Sequence, residues 1–276
     1  MSTLYTYGCS FTDYHWDTWA DHMGKNFDKF INYGQVGAGN QYILHKLTES
    51  LARKEITSRD TVAIMWSTVV RYDYWIKGQW VTQGNIFKGW HNYGEFKNTA
   101  DPMGFFMRDC SFIHAAKVML DSIGCRYIFF SLNPLWDPVE DKRFSWLNKF
   151  FKDDIVDQYK ILYNESLSII KPSVYEVIFN FNWDSRVNDL GPNADDNYGI
   201  MKGANWPARE DFNLETLKNL DKDLQNEIVE FLQGISIEDV IDRKLYSEGE
   251  VVDYHPTPEM HREYLDAVLP DWQSWH

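Results

Sequence analysis

Short apolar runs and amphipathic stretches alternate along the first two-thirds of the chain. Thr3–Tyr7 reads as a strand, and Asp13–Met23 follows with Trp16, Trp19, Ala20 and Met23 at helical spacing. Lys29–Tyr33 is a second short strand. Asn40–Lys54 then places Ile43, Leu44, Leu47 and Leu51 on one helical face. Thr61–Trp66 and Cys125–Leu132 are continuous apolar strands, separated by an amphipathic helix over Phe105–Ile123 that Gly124 ends. Further on, Leu214–Leu232 reads as a helix. Thr257–Leu269 reads as the closing helix, with Thr257 as cap and Pro258 at its first position. Ser173–Phe181 fits strand or helix equally: its side chains favour a strand, whereas Pro172 suits a helix start.

Strands that are apolar throughout and separated by helices predict a parallel sheet covered on both faces, an α/β/α three-layer sandwich. In such sheets, ligands bind beyond the carboxyl ends of the strands. That rule singles out Gly8-Cys9-Ser10, Gly34-Gln35-Val36-Gly37, Trp66-Ser67-Thr68 and Ser131-Leu132-Asn133. Two stretches break the rhythm: one near 69–104, rich in Trp, Tyr, Gly and Asn, and a polar one near 182–212. Both are expected as long insertions in a single domain spanning 1–276, and loops of that length are commonly functional.

Charge narrows the partners. A formal net charge of -14 over 276 residues repels phosphate backbones and anionic bilayers, so neither nucleic acid nor a membrane is an expected partner. No apolar run is long enough to cross a bilayer, and Met1–Tyr5 lacks the basic, then apolar, start of a secretion signal. Cys9, Cys110 and Cys125 are odd in number and fit no zinc spacing; free thiols in a reducing cytoplasm account for them. The eight histidines form no recognisable ligand pattern, and neither a metal nor another cofactor is expected.

The candidate chemistry is a hydroxyl nucleophile. Ser10 follows the first strand, Gly8 permits a sharp turn, and a helix starting just after it would offer backbone N–H groups to a developing anion. Alone, a serine there reads first as an ordinary helix cap, because Ser is a preferred cap. Asp253-Tyr254-His255-Pro256 lies shortly before the closing helix and offers a base with an adjacent carboxylate; Asp13 and His15 are an alternative near the turn. The glycines of Gly34-Gln35-Val36-Gly37-Ala38-Gly39-Asn40 are in the wrong order for a dinucleotide fingerprint and suit close approach of backbone to an oxyanion. Arg71 is a bidentate donor for an anionic substrate group or one half of a salt bridge. Trp66, with Tyr72, Tyr74, Trp75, Trp80 and Trp90, offers either a carbohydrate-stacking wall or packing.

Taken together, these positions resemble the SGNH/GDSL hydrolase superfamily, particularly its divergent bacteriophage-encoded members. The resemblance implies a flavodoxin-like fold and a serine esterase, with Ser10 as nucleophile, His255 as base and Asp253 orienting it. It implies an oxyanion hole from Ser10, Gly37 and a donor after the third strand. The substrate class is a small-molecule or glycan ester, in which Arg71 and Trp66 would touch the substrate. Three departures stand out. Cys9 replaces the family's Asp in the nucleophile turn, Trp66-Ser67-Thr68 lacks the Asn of the third block, and Asp253-x-His255 is one residue shorter than the usual spacing. The third oxyanion donor is therefore open among the Ser67 hydroxyl, Thr68 and Asn40. A non-catalytic, virion-associated module on the same scaffold is the rival reading.

Overall fold

The computed structural model describes residues 2–14, 16–86, 100–135, 152–178, 246–247, 250–251, 255–256 and 258–275. The chain divides into two compact units. One comprises Met1–Tyr14, Thr18–Phe181 and Arg262–His276; the other comprises His15–Asp17 and Asn182–His261. The longer segment of the second unit starts at Asn182, where the polar stretch of the sequence begins.

The first unit is built on four parallel strands: β1 (Thr3–Gly8), β2 (Lys29–Gly34), β3 (Thr61–Trp66) and, after a hairpin described below, β6 (Arg126–Ser131). They lie in the order β2-β1-β3-β6, with Gly8 opposite Gly34 and Trp66 opposite Ser131. A further parallel bridge joins Phe129 to Ile170. Every residue of β3 is buried, as expected for a strand with sheet on both sides and helices on both faces.

The helices are α1 (Trp19–Gly24), α2 (Asn40–Ala52) and α3 (Pro102–Ile123). The chain winds from β1 outward to β2, then back across β1 to β3. With right-handed crossovers that reversal puts α1 on one face and α2 and α3, which pack on each other, on the other. On the α1 face, Phe130 meets Trp19 and Tyr264; on the opposite face Trp66 packs edge-on against Phe129. The reversal makes the carboxyl ends of β1 and β3 the topological switch point of the sheet, the position where open α/β sheets take ligands. Ser10 and Ser67 follow those two strands.

Local signals explain the ends of these elements. Thr18 and Asp21 form a capping box that starts α1 at Trp19, so the helix read over Asp13–Met23 begins several residues late. Asp101 caps α3 through Met103 N–H, Pro102 opens it, and Gly124 closes it with φ +72°. The expected loop after Val69 contains a hairpin: β4 (Arg71–Ile76) pairs antiparallel with β5 (Gln79–Asn85). Lys77 and Gly78 both have positive φ, +50° and +85°, the turn geometry that matches the twist of a two-residue hairpin.

Two short helices, α4 (Asp153–Leu162) and α5 (Asn164–Leu167), precede α6 (Val174–Ile178), which resolves Ser173–Phe181 as helical over its described part. Pro172 and the Ser173 hydroxyl, which accepts from Glu176 N–H, decide it. A two-residue pair, β7 (Tyr246–Ser247) and β8 (Glu250–Val251), precedes the closing helix α7 (Pro258–Val268). Pro258 is its first residue as expected, while Thr257 lies outside the described residues, as does the helix expected over Leu214–Leu232. No helix among the described residues is long and apolar enough to cross a membrane.

Gly124 isolates the energetic value of left-handed backbone, because nothing lies within 4 Å of a Cβ added there. Gly124→Ala should cost about 1 kcal/mol, and thermal unfolding should show a Tm lower by a few degrees; an unchanged Tm would contradict the assignment of this position as the helix stop.

Candidate active site

Ser10 sits in a tight turn directly beyond the end of β1, where Thr12 N–H and Asp13 N–H both donate to Cys9 O at 2.9 and 3.2 Å. The residue is nearly buried, 5% exposed, and the neighbouring Cys9 is wholly in the core. The turn is packed to contact. A Cβ on Gly8 would lie 2.0 Å from Thr12 Oγ1, and one on Gly34 would lie 2.5 Å from Asp13 Cβ, so only glycine fits at either strand end. The expected helix start behind Ser10 is absent, since α1 begins at Trp19. The turn is stabilised by side chains instead. Asn32 Nδ2 and Thr18 Oγ1 both donate to Thr12 O, at 2.7 and 2.8 Å, and Asn32 Oδ1 accepts from Thr6 Oγ1 and Gly34 N–H. One asparagine thus ties β1, β2 and the serine turn together.

The loop after β2 is joined to the same turn, with Gln35 N–H donating to Gly8 O at 3.1 Å. Ala38 N–H closes a turn onto Gln35 O, with Gly37 at φ +74°. A Cβ at Gly37 would meet Thr82 O at 2.2 Å, and Gly84 N–H donates to Gly37 O, so the β4–β5 hairpin docks on this glycine. Arg71, the first residue of β4, adds a further tie by donating to Ala38 O at 2.8 Å.

Helix α2 begins at the end of this loop without a side-chain cap of its own, because Gly39 occupies the cap position. Asp73 of β4 supplies the cap from a distance: its carboxylate accepts from Gly39 N–H and from Tyr42 N–H at 2.9 Å each. Burial holds the Asp73 carboxyl above the usual aspartate range, even against these two N–H groups and the nearby Arg71 and Arg108.

Asn40, the first residue of α2, reaches across to the end of β3. Its Oδ1 accepts from Ser67 N–H at 2.7 Å, while its Nδ2 donates to Ser67 O at 3.0 Å and to Asp109 Oδ2 at 2.7 Å. Both amide hydrogens are engaged, so Asn40 has none left for an oxyanion. Asp109, on α3, is fully buried and is also paired through Oδ1 with Arg108 Nε at 2.7 Å. Burial pushes its carboxyl up to about 6, with Arg108 and Asn40 opposing the shift. Ser67 Oγ, in contrast, is wholly buried and has no hydrogen-bond partner among the described residues.

The other expected site residues are distributed as follows. Trp66 is completely buried and packs on Phe129, so it belongs to the core and offers no face to a substrate. Arg71 donates to the loop backbone at Ala38 O, and no carboxylate pairs with it as a salt bridge among the described residues. His255 is half-buried and belongs to the second unit, as does Trp16, whose indole N–H donates to Pro256 O at 2.9 Å. Asp253 and His15 lie outside the described residues. Among the described residues, no group of three or more His, Cys, Asp or Glu is arranged to hold a metal ion.

No family model matches the chain, and no curated protein does. Among solved structures, it is similar to a lipolytic G-D-S-L family member from Veillonella parvula, at 14% identity over 74% of this chain and 87% of that one, with a TM-score of 0.38. It is also similar to the esterase EstA from Pseudoalteromonas sp., in a form inhibited by monoethylphosphonate, at 12% identity over 70% of this chain and 88% of that one, with a TM-score of 0.34.

Four residues that organise the site, Asn32, Asp73, Arg108 and Asp109, escape a reading of the sequence alone. Asp109 carried a visible signal. It falls on the buried stripe of α3 with Phe106, Cys110 and Ile113, where a carboxylate has to find partners. Asp73 carried none, since an Asp in a strand of Tyr and Trp reads as a solvent-facing residue.

The raised Asp109 carboxyl makes a prediction with a definite sign. Below its ordinary value of 3.8 the group is protonated in both folded and unfolded chains, and its contribution to stability is lost as pH rises towards about 6. Asp109→Asn removes that titration. The stability of the wild type relative to Asp109→Asn should therefore fall between pH 4 and pH 6.5, by on the order of 2–3 kcal/mol in denaturant titrations. A pH-independent difference would show that Asp109 does not titrate in this window.

Proposed function

We propose that the chain is a serine hydrolase of the SGNH type acting on a carboxylic ester. The observation that carries this reading is Ser10 in a contact-packed turn at the switch point of a parallel sheet, beside a glycine loop whose backbone faces the same edge. Such a serine requires a base, and the pair Asp253/His255 ahead of α7 is the assignment that the family resemblance supports. In this mechanism, His255 accepts the Ser10 proton as the hydroxyl attacks the ester carbonyl, then returns it to the leaving alcohol. Asp253 orients the imidazole and stabilises its charged form. Ser10 N–H and Gly37 N–H supply oxyanion donors. For Gly37 the supporting observation is that its N–H makes no hydrogen bond among the described residues, whereas Gly39 N–H is committed to Asp73 and Ala38 N–H to Gln35.

The substrate in this proposal is a small O-acyl compound, an acylated sugar being the case suggested by the resemblance and by the aromatic hairpin. Trp75 at 59% exposure, with Trp80 packed against it edge-on, is the described aromatic surface that a sugar ring could stack upon. Arg71 serves the site by bracing the loop at Ala38 O, and an anionic group on the substrate would be its second partner.

The reading is tested with p-nitrophenyl acetate and a fluorophosphonate probe. The wild type should turn over the ester and take up one phosphonyl group on Ser10. Ser10→Ala should lose labelling and at least roughly 10³-fold in kcat, and His255→Ala should fall comparably. Turnover that survives Ser10→Ala, or a wild type that is neither labelled nor active, would falsify the proposal and leave a binding role on the same scaffold.

A further inference from the structure

We infer that Thr82 is a positioning residue for the reaction: its hydroxyl holds the Val36 carbonyl and so aims the Gly37 N–H at the forming oxyanion. The inference rests on the hydrolase reading above and concerns what sets one of its donors. Thr82 lies on β5, outside the parallel sheet, in the hairpin that interrupts the alternation of strands and helices. Each residue of the glycine loop from Val36 to Gly39 is tied to this hairpin. Thr82 Oγ1 donates to Val36 O at 2.8 Å, and Gly84 N–H donates to Gly37 O at 2.9 Å. Arg71 Nη1 donates to Ala38 O at 2.8 Å, and the Asp73 carboxylate accepts from Gly39 N–H. Ala38 N–H is taken by Gln35 O. In the peptide units that link Val36 to Gly39, the polar group left without a hydrogen bond among the described residues is Gly37 N–H.

The planar peptide turns the first of these ties into an aim. The Val36–Gly37 peptide is trans, so its C=O and N–H point in opposite directions. With Val36 O held on Thr82, Gly37 N–H points away from that hydroxyl, and rotation of the peptide unit is resisted. Gly37 is partly exposed whereas Ala38 and Gly39 are buried, so the uncommitted N–H belongs to a residue that a substrate reaches. The same loop is tied to the serine turn through Gln35 N–H on Gly8 O. Thr82 and Asp73 are directly opposed in the hairpin, so their side chains leave one face of it and hold the residues before and after the Gly37–Ala38 pair. The hairpin also dictates the glycine, since a Cβ at Gly37 would meet Thr82 O at 2.2 Å. The bond from Thr82 to Val36 O is exposed, so water can replace the hydroxyl as a donor once it is removed. Water satisfies the carbonyl without fixing its direction. Loss of the hydroxyl therefore costs aim and not stability. Gly37 acts on the reacting oxygen, whereas Thr82 acts through Gly37.

The experiment compares Thr82→Val, which keeps the branched shape and loses the hydroxyl, with Thr82→Ser, which keeps the hydroxyl. Both are made in the full chain and read by kcat and KM for p-nitrophenyl acetate. Fluorophosphonate labelling carried to completion counts the competent sites, so that kcat is expressed per reactive Ser10. Thr82→Val should lower kcat by roughly tenfold with KM within about twofold of the wild type. Thr82→Ser should restore kcat to within about threefold, and both variants should keep the wild-type Tm. A second readout follows the Gly37 amide proton by NMR before and after Ser10 is phosphonylated. It should move downfield in the wild type and in Thr82→Ser, as the N–H meets the phosphonyl oxygen, and should move less in Thr82→Val. If Thr82→Val does not fold, Thr82→Ala takes its place.

A Thr82→Val variant as fast as the wild type, while Ser10 remains essential, overturns this inference and leaves the hydrolase reading standing. So does an equal loss in Thr82→Ser, which would trace the effect to packing, or a Gly37 amide proton that ignores phosphonylation in the wild type. A wild type without labelling or turnover overturns both.

Discussion

At the carboxyl edge of a parallel sheet the strands run out of partners, and each N–H and C=O that remains buried there must be satisfied by a turn or a side chain. This constraint shapes the whole candidate site. Asn32 takes the carbonyl of Thr12 and the amide of Gly34, Asn40 takes both polar groups of Ser67, and Asp73 takes the first free N–H groups of α2. Each residue replaces a backbone partner that the geometry of the sheet cannot supply. The same bonds bring the serine turn, the glycine loop and the end of β3 into one rigid edge.

Rigidity of this kind has consequences for chemistry. An oxyanion hole works because its donors are already aimed before charge develops, so little reorganisation is needed at the transition state. Donors on mobile loops would forfeit that advantage. Here the loop around Gly37 is held by the β4–β5 hairpin, through Gly84 N–H on Gly37 O and Arg71 on Ala38 O, and the Ser10 turn is packed so closely on Gly8 that no side chain fits between them. The buried carboxylates carry the electrostatic cost of this arrangement. Asp73 and Asp109 are both raised by burial, and Arg71 and Arg108 offset that cost without forming an exposed ion pair.

Much of the fold was legible in the hydrophobic pattern. The four strands of the sheet, α2, most of α3 and the start of α7 at Pro258 follow from apolar periodicity and from Gly and Pro at the element ends, because these are local properties of the chain. The misread elements have a common cause. The helix placed over Asp13–Met23 begins at Trp19 because the capping box of Thr18 and Asp21 outweighs the spacing of Trp16. The loop after Val69 contains a hairpin whose turn puts Lys77 at positive φ, a residue that does not announce such a turn.

The sequence by itself determined which residues stand at the strand ends: Ser10, Gly37 and Ser67 are there because a strand must end at a glycine, a turn or a polar residue. Only the tertiary structure decided what each of their neighbours does. Trp66 proved to be core because it is wholly buried on its face of β3, edge-on against Phe129 of the neighbouring strand, and Asn40 proved to be a clamp because α2 begins against the end of β3. Asp109 lies 69 positions from Asn40 and Asp73 lies 34 from Gly39. No local pattern encodes pairings over such separations, since they exist only once the sheet has set the helices side by side.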